Sequence, residues 1–345
     1  MTLFVDRSVL KEKLKRTILY NLYTFRQAEL NRFVQAHYAG EPDSEIHRVR
    51  TRMAFARIAY GLPYADFFQC RCDDMNNKQL SQIVPLSEQK RLWKKVNSKR
   101  AHDLLCDKYQ TYNFFQAYYD RQVVSVDDFS STDIYDAFLA AHNCFIVKPK
   151  GANCGRGIRL LDREKDSFSL KDMLKEYPNG FILEEIISQD ERLAAFHPSS
   201  VNTLRINTFY DGDSVEVKWP CLRVGRKGSI VDNAGAGGVF GAIDVATGRI
   251  LAASDEFHHT FEIHPDTEMP IIGFQIPRWD EAVAMAKTLA RMIPDAHFVA
   301  WDFALTEKGW VMVEGNYGPL LIWQIAVGRG IRNEFEKMEK RLALK

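Results

Sequence analysis

The clearest alternation of apolar and polar positions covers residues 299–316, and it predicts a β-hairpin. Two apolar-rich runs flank Glu307-Lys308-Gly309, which we interpret as a three-residue loop with glycine at its last position. Glycine there would supply the left-handed conformation that such loops need. In the resulting register Thr306 faces Trp310, and every later pair follows from that one.

The same register gives the hairpin one acidic face. It places Asp302 opposite Glu314, and strand alternation puts both on the face that carries Asn316. Two facing carboxylates do not both ionise readily unless a cation neutralises them. Carboxylate and amide oxygens suit Mg²⁺ or Mn²⁺. We therefore predict a metal site at Asp302, Glu314 and Asn316, in preference to an ordinary solvated hairpin with two surface acids.

Carboxylate repulsion leads to a second expectation. Replacing Asp302 with Asn should leave the metal-free protein no less stable, provided that both acids are ionised and no other cation bridges them.

Apolar residues recur at helical spacing over most of the first hundred residues. They predict one long helix over residues 7–39 and a second over residues 45–60, for which Ser44 is a candidate N-cap. A basic helix is predicted from Ser87 to Arg100. Nearer the other end of the chain, residues 279–293 have the pattern of an amphipathic helix that leads into the hairpin.

A glycine-rich segment joins two short apolar runs that we predict to be strands. The first run ends in a lysine, and the second begins at Ile158. Backbone amides of such a loop approach an anion closely, and the neighbouring cations add positive charge. The segment is not a Walker loop, because it lacks Gly-Lys-Ser/Thr and no helix follows. Alone it fits a simple hairpin; beside a metal site it indicates phosphate binding. The candidate residues are Lys148, Lys150, Gly151, Gly155, Arg156 and Gly157.

The next predicted strand, residues 180–187, ends in acids. Backbone N–H and C=O groups of this strand, at Ile186, could form hydrogen bonds with the edge of an adenine ring, with Glu184 or Glu185 accepting from its exocyclic amine. Glu191 could hold a ribose hydroxyl, although an acidic strand end is usually just solvated. In the following strand, Arg205 shares a face with hydrogen-bonding neighbours, so we predict that its planar fork clamps a phosphate.

Composition limits the remaining possibilities. The 345 residues carry a net charge of +1, and no basic run is interleaved with aromatic residues, so we expect no nucleic-acid partner. The six cysteines lack a CxxC motif, and no third ligand supports a zinc site at His258, His259 and His264. No secretory signal pattern or membrane-spanning apolar run occurs, so a cytoplasmic protein is expected.

Taken in order, these features resemble the ATP-grasp superfamily: Lys108 at a helix start, Lys148, the glycine loop, the acidic strand end, Arg205 and the hairpin acids. Several strings are closer still to the sugar-transfer-associated ATP-grasp family, over roughly residues 100–330. They are His197-Pro-Ser-Ser-Val-Asn-Thr-Leu-Arg205, His264-Pro-Asp-Thr267, Ile276-Pro-Arg-Trp279, Ala300-Trp-Asp-Phe-Ala304 and Val313-Glu-Gly-Asn316.

The resemblance implies roles for these residues. Lys108 and Lys148 would contact the nucleotide phosphates, and residues 151–157 would form a flexible lid over them. Glu184 and Glu185 would lie at the hinge between the two ATP-clamping subdomains. Arg205 would face the transferred phosphate, and the three hairpin residues would hold Mg²⁺.

The resemblance also implies an α+β, two-lobed ATP-grasp fold with a helical N-terminal extension. We expect a helical region over residues 1–105, a first subdomain over 106–185 and a second over 186–345. The implied activity is ATP-dependent joining of a small-molecule carboxylate to an amine, with family context suggesting sugar-linked substrates and polysaccharide synthesis. An ATP-grasp kinase and a non-catalytic nucleotide-binding protein are the alternatives.

Overall fold

The computed structural model describes residues 27–150, 157–166, 169–232, 235 and 237–343. These residues form an α+β structure with two separate antiparallel sheets, as predicted. Among the helices in these ranges, none has both the length and the apolar character needed to cross a bilayer.

The helices of at least four residues are α1 (described over 27–37), α2 (Asp43–Tyr60), α3 (Tyr64–Gln69), α4 (Asn77–Leu80), α5 (Leu86–Val96), α6 (Lys99–Cys106), α7 (Lys108–Phe115), α8 (Thr132–Ala141), α9 (Leu170–Glu176), α10 (Glu191–Ala194), α11 (Trp279–Met292), α12 (Ile322–Val327) and α13 (Arg332–Ala343). The strands are β1 (Val123–Val126), β2 (Cys144–Pro149), β3 (Arg159–Asp162), β4 (Phe181–Glu185), β5 (Thr203–Tyr210), β6 (Val215–Val224), β7 (Val239–Ile243), β8 (Ile250–Ser254), β9 (Phe298–Leu305) and β10 (Trp310–Asn316).

The smaller sheet has the order β1-β4-β2-β3. Aromatic and aliphatic side chains of β1, β2 and β4 form a core with α8 and α9, including Phe138, Phe145 and Phe181. Because β2 lies between β3 and β4, Lys148 near its end is directly paired with Ile182 of β4. The lysine predicted at a strand end thus lies opposite the start of β4, and its side chain reaches Glu184 further along that strand.

The larger sheet has the order β10-β9-β5-β6-β7-β8 and buries both faces. One face packs against α6, α7 and α11. The other face packs against the N-terminal helices together with α12 and α13. A sheet covered on both sides explains why every residue of β9 is buried.

The helical N-terminal region shares the core of the larger sheet. Trp93 of α5 stacks on Phe298 of β9 with ring centroids 3.9 Å apart. Asn97 donates from Nδ2 to the carbonyl of Phe298 at 2.7 Å and accepts from the Phe298 amide at 2.9 Å. The side-chain amide thus replaces a neighbouring strand for this residue, and the extension is part of one packed unit.

Three helix predictions need correction or limitation. Pro42 precedes α2 and provides no side-chain cap, so Ser44 lies in the first turn and is not the N-cap. The predicted helix from Ser87 to Arg100 is two helices, because the backbone at Asn97 is extended and Ser98 caps α6. Residues 27–39 of the predicted first helix lie within the described part of the chain, where the helix ends at residue 37.

The hairpin prediction was right in its outcome and wrong in its turn. Thr306 and Gly309 exchange backbone hydrogen bonds of 2.9 and 3.1 Å, so the loop has two residues, and Trp310 pairs with Leu305 instead of Thr306. Gly309 has φ +147°, which is open to glycine but is not the left-handed helical region. A bulge between Met312 and Glu314 then shifts the register by one residue.

Candidate active site

The bulge in β10 brings Glu314 opposite Asp302, the pairing on which the metal prediction depended. Arg205 of β5 lies directly opposite Asp302 on its other side. Its guanidinium forms a two-pronged ion pair, with Nε and Nη2 each 2.7 Å from one carboxylate oxygen of Asp302. Asn316 donates from Nδ2 to Asp302 at 3.1 Å. The structure therefore brings together the three hairpin residues predicted to share a face, and it adds Arg205, which was predicted separately.

Electrostatics distinguish the two carboxylates. Burial disfavours an ionised Asp302, but the charges of Arg205 and Arg223 outweigh burial and lower its pKa to about 2. Burial and the negative charge of Asp302 raise the pKa of Glu314. The acids are thus an ionised aspartate and a glutamate that resists ionisation beside it.

The donor set is compatible with a divalent cation at one edge. Asp302 is fully buried and gives most of its hydrogen-bonding capacity to arginine and Asn316. Glu314 and Asn316 are partly exposed. A bound cation would neutralise the negative charge of an ionised Glu314, which is otherwise unfavourable beside Asp302. Within the described ranges, no cluster of three or more His, Cys, Asp or Glu side chains could hold a metal. Any ion here would thus depend on two carboxylates and an amide.

Sequence reasoning missed Arg223 of β6 as a site residue. Its Nη2 lies 3.1 Å from Asp302, 3.2 Å from Asp232 and 2.8 Å from the Thr203 hydroxyl. Asp232 also accepts the Thr203 amide at 3.0 Å and its hydroxyl. The pairing of Arg223 with the start of β5, which carries Arg205, was the signal that could have identified it.

The string from His197 to Asn202 supports the start of β5. Ser200 Oγ donates to Asn202 Oδ1 at 3.1 Å, so His197 Nδ1 must be the donor in its 2.9 Å contact with Ser200. The imidazole is therefore not oriented as a base for that hydroxyl. A Cβ on Gly225 would lie 2.4 Å from Ser200 Oγ, which explains why the neighbouring strand end has glycine. These residues hold the strand that carries Arg205.

Lys148 and Glu184 contact each other in an ion pair beneath the cleft between the sheets. Glu184 also binds Arg121, whose Nε donates to it at 2.6 Å. Burial raises the pKa of Glu184, but the charges of Arg121 and Lys148 more than offset this and lower it to about 2. Arg121 in turn donates to the carbonyl of Met312 at 2.6 Å, next to the bulge. Arg121 was not identified from the sequence.

Of the two predicted hinge residues, Glu185 lines a cleft of about 190 Å³. Glu185 and Ile186 form one side with Arg121, and Lys308 and Val311 from the hairpin form the other. The backbone and carboxylate of Glu185 both pair with Gln122. Glu184 does not line the cleft, because it is buried against Arg121 and Lys148. Glu191 is exposed at the first position of α10.

The remaining predicted phosphate ligands are only partly described. Lys108 begins α7, where Asp107 caps the helix by accepting the amides of Tyr109 and Gln110. Lys150 forms an ion pair with Asp127. Gly157 has φ +71°, and its carbonyl accepts the hydroxyl of Tyr177 at 3.2 Å. Gly151, Gly155 and Arg156 lie outside the described residues.

The three histidines considered for a zinc site, His258, His259 and His264, have different surroundings. His264 is fully buried and donates from Nε2 to the carbonyl of Gly225 at 2.9 Å, and burial lowers its pKa. It is thus part of the support beneath the His197 string. His258 and His259 lie next to Asp73 and Asp255, respectively.

Similar folds occur among solved structures. The VanG D-Ala:D-Ser ligase from Enterococcus faecalis is 15% identical, with a TM-score of 0.46, and the match covers 72% of this chain and 64% of that one. D-alanine-D-alanine ligase from Helicobacter pylori is 13% identical over 72% of this chain and 60% of that one, with a TM-score of 0.43.

N5-carboxyaminoimidazole synthetase from Staphylococcus aureus, solved with ADP, is 15% identical over 69% of this chain, with a TM-score of 0.41. This chain spans about half of the synthetase, 52% of its length. No curated protein matches the sequence.

The sequence model of one family matches residues 87–340, which is most of the chain and includes every residue of the site described above. The fold is of the α+β class that the resemblance implied, and its N-terminal region is helical. This protein belongs to the sugar-transfer-associated ATP-grasp family.

Proposed function

We propose that this protein uses ATP to join a carboxylate to an amine through an acylphosphate. The observation that carries the proposal is the set of buried cations and acids at one end of the larger sheet. Arg205 and Arg223 meet Asp302 there, with Glu314 and Asn316 beside it. Such a group can position phosphates and neutralise charge, which is what phosphoryl transfer requires of a protein.

The chemistry follows from the poor leaving group of a carboxylate. A carboxylate oxygen attacks the γ-phosphorus of ATP, the bond to ADP breaks, and an acylphosphate forms. The amine nitrogen then attacks the carbonyl carbon, phosphate leaves with the bonding electrons, and the amine loses a proton. These two reaction steps need no protein nucleophile, because positioning and charge neutralisation supply the catalysis.

The candidate site residues have distinct roles in this proposal. Arg205 would contact the transferred phosphoryl group after exchanging part of its pairing with Asp302. Lys148 would contact nucleotide phosphates, and the cleft at Glu185 and Ile186 would hold the adenine. Asp302, Glu314 and Asn316 would hold Mg²⁺ or Mn²⁺, which neutralises phosphate charge when bound.

The substrates proposed first are sugar-linked. The family description associates this fold with sugar transfer, which supports testing sugar acids as carboxylates and amino acids or amino sugars as amines. A role in cell-surface polysaccharide synthesis would follow from such a product.

The test is ADP formation from ATP and Mg²⁺ with pooled carboxylates and pooled amines. A ligase requires both pools for full turnover, and hydroxylamine should replace the amine and yield a hydroxamate from the acylphosphate. Glu314→Gln should abolish turnover, while Arg192→Gln should not, because Arg192 pairs only with Asp190 at the surface. A phosphate ester formed without any amine would instead establish a kinase. Nucleotide binding without ADP formation from any pool would refute the proposed reaction.

A further inference from the structure

The sheet face that carries Arg223 continues to a second polar cluster. Thr203, Arg223, Phe240 and Ser254 are directly paired across β5, β6, β7 and β8. Directly paired residues share a face, and neighbouring strands are about 4.8 Å apart. Ser254 therefore lies roughly 10 Å from Arg223 on the face that holds the proposed phosphoryl-transfer residues.

Asp255, the next residue, is completely buried and fully engaged. It accepts Arg226 Nη2 at 3.0 Å, His259 Nδ1 at 2.9 Å and the amide of Phe257 at 2.8 Å. Arg226 therefore shares its carboxylate with other donors. Its Nε is buried and has no hydrogen-bond partner among the described residues.

Arg71 brings a second cation to this place from the N-terminal helices. It feels the charge of Asp255, but burial is the larger effect and lowers the pKa of its guanidinium. Nη2 donates to the carbonyl of Ala326 at 2.9 Å, whereas Nη1 is buried without a partner in the described ranges. The residue has φ +54°, a conformation that costs free energy for a side chain other than glycine.

His258 completes the cluster, in the electrostatic range of Arg71. Its ring lies 4.9 Å from the ring of Phe68, and Nε2 lies 3.4 Å from Asp73. Nδ1 is buried without a partner, as is the Oγ of Ser254, within the described part of the chain. His258 also has positive φ, at +73°.

Buried polar atoms are nearly always hydrogen-bonded, and left-handed non-glycine residues concentrate at ligand sites. Here unsatisfied atoms belong to Arg71, Arg226, Ser254 and His258, and the arginine and serine atoms are donors. Both arginines interact with Asp255, the residue after Ser254, and Arg71 also interacts with His258. Donors from two guanidiniums and a hydroxyl match an anionic group. Water alone would satisfy the hydrogen bonds but would add no negative charge beside the half-buried Arg71 guanidinium, for which burial outweighs the charge of Asp255.

We infer that Arg71, Arg226 and Ser254 bind an anionic group of the substrate, a phosphate or a distal carboxylate, with Ser254 roughly 10 Å from Arg223. The identification of the bound anion as part of the substrate rests on the proposed function, but the existence of the anion site does not. A sugar acid that also bears a phosphate is the substrate class that this spacing fits. The N-terminal helices would then supply specificity through Arg71.

The experiment measures stabilisation by inorganic phosphate and, separately, by malonate, without nucleotide. Because an anion stabilises only the state that binds it, melting temperature against concentration gives an apparent Kd. Arg71→Gln and Arg226→Gln should each weaken binding by roughly tenfold or more, the cost of one charge-assisted contact. Arg192→Gln should match the wild type, since the Arg192 side chain is 56% exposed.

Preference for phosphate over malonate would assign a phosphoryl group, and the reverse would assign a carboxylate. If a Gln variant fails to fold, the Arg→Lys variant at that position keeps the charge but loses the planar fork, and it should still weaken binding. Wild-type affinity in both cluster variants would place the anion at Arg205 instead and overturn the inference. Absence of saturable stabilisation in the wild type would also overturn it. Neither outcome depends on turnover, so failure of the ligase assay is distinguishable.

Discussion

Arg121→Met is the change that tests the buried ion pairs most directly. The Arg121 side chain is 2% exposed and that of Glu184 is 7% exposed. Methionine keeps much of the volume and removes the charge, leaving Glu184 with Lys148 as its cationic partner in the pair described above. The carbonyls of Met312 and Tyr119, which accept from Arg121 at 2.6 and 3.1 Å, would also lose a donor.

The expected cost is about 3 kcal/mol of unfolding free energy. Removing one partner of a buried pair usually costs about 3–5 kcal/mol, and the remaining Lys148 favours the lower end. The pKa of Glu184 is consistent with a net stabilising interaction, because the charges of Arg121 and Lys148 together outweigh burial and lower it from 4.5 to about 2.

The sign of the pH dependence follows from that lowered pKa. Ionised Glu184 stabilises the fold fully above its unfolded value of 4.5, and this contribution is lost as pH falls toward 2. In Arg121→Met the folded pKa should rise toward the ordinary value. The variant should therefore be less stable at pH 7 but lose less additional stability between about pH 5 and pH 3.

The assay is urea unfolding at pH 7 and at lower pH, with the slope against urea compared between proteins. Arg121→Met with Glu184→Gln should recover much of the loss, because no unpaired acid remains. Arg192→Met is the control and should cost no more than about 1 kcal/mol, since its side chain is 56% exposed. An Arg121→Met variant within about 1 kcal/mol of the wild type, with the same acid profile, would refute the reasoning.

Two further substitutions and one hydrogen-exchange measurement test the candidate site. Asp302→Asn should destabilise the metal-free protein by about 3 kcal/mol in urea unfolding, because it leaves Arg205 and Arg223 buried without their shared carboxylate; a variant as stable as the wild type would contradict this. Lys148→Ala should weaken ATP binding in calorimetry without loss of the folded state, and equal affinity would remove Lys148 from the nucleotide site. Residues 151–157 should gain protection in hydrogen exchange when ATP and Mg²⁺ are added, and unchanged exchange would count against a lid.

The Asp302→Asn expectation reverses the one drawn from the sequence. Sequence alone showed two opposed acids, so relief of repulsion was the expected effect. The structure adds Arg205 and Arg223, whose charges outweigh burial and keep Asp302 ionised. The condition that no other cation bridges the acids is therefore not met. Pairing between strands that are a hundred residues apart could not be obtained from local patterns.

The hairpin shows why part of the site was predictable. Its turn was predicted one residue too long, which alone would have shifted every later pair. The bulge between Met312 and Glu314 adds one residue back, so Asp302 and Glu314 still pair. Bulges leave no simple trace in apolar alternation, and the two deviations compensate only because both lie between the acids.

Strand ends and helix starts were predictable for a different reason. Lys148 and Lys108 occupy positions fixed by local signals, a short apolar run and an aspartate cap. Arg121 was not predictable, because its importance comes from contacts with Glu184 and Met312 that no spacing in the sequence indicates. Local chemistry therefore indicated these candidate site residues, and nonlocal ion pairs determine their electrostatics.

The helical N-terminal region has a direct connection to this site. Trp93 donates from Nε1 to the carbonyl of Pro319 at 3.1 Å, and Asn97 donates to the carbonyl of Tyr317 at 3.1 Å. Tyr317 immediately follows Asn316, so α5 holds the segment that leaves the acidic edge of the hairpin. Because the same helices also bury one face of the larger sheet, removing them would expose that core and release the chain beside Asn316. The N-terminal region is therefore required for the geometry of the site, whatever it contributes to substrate binding.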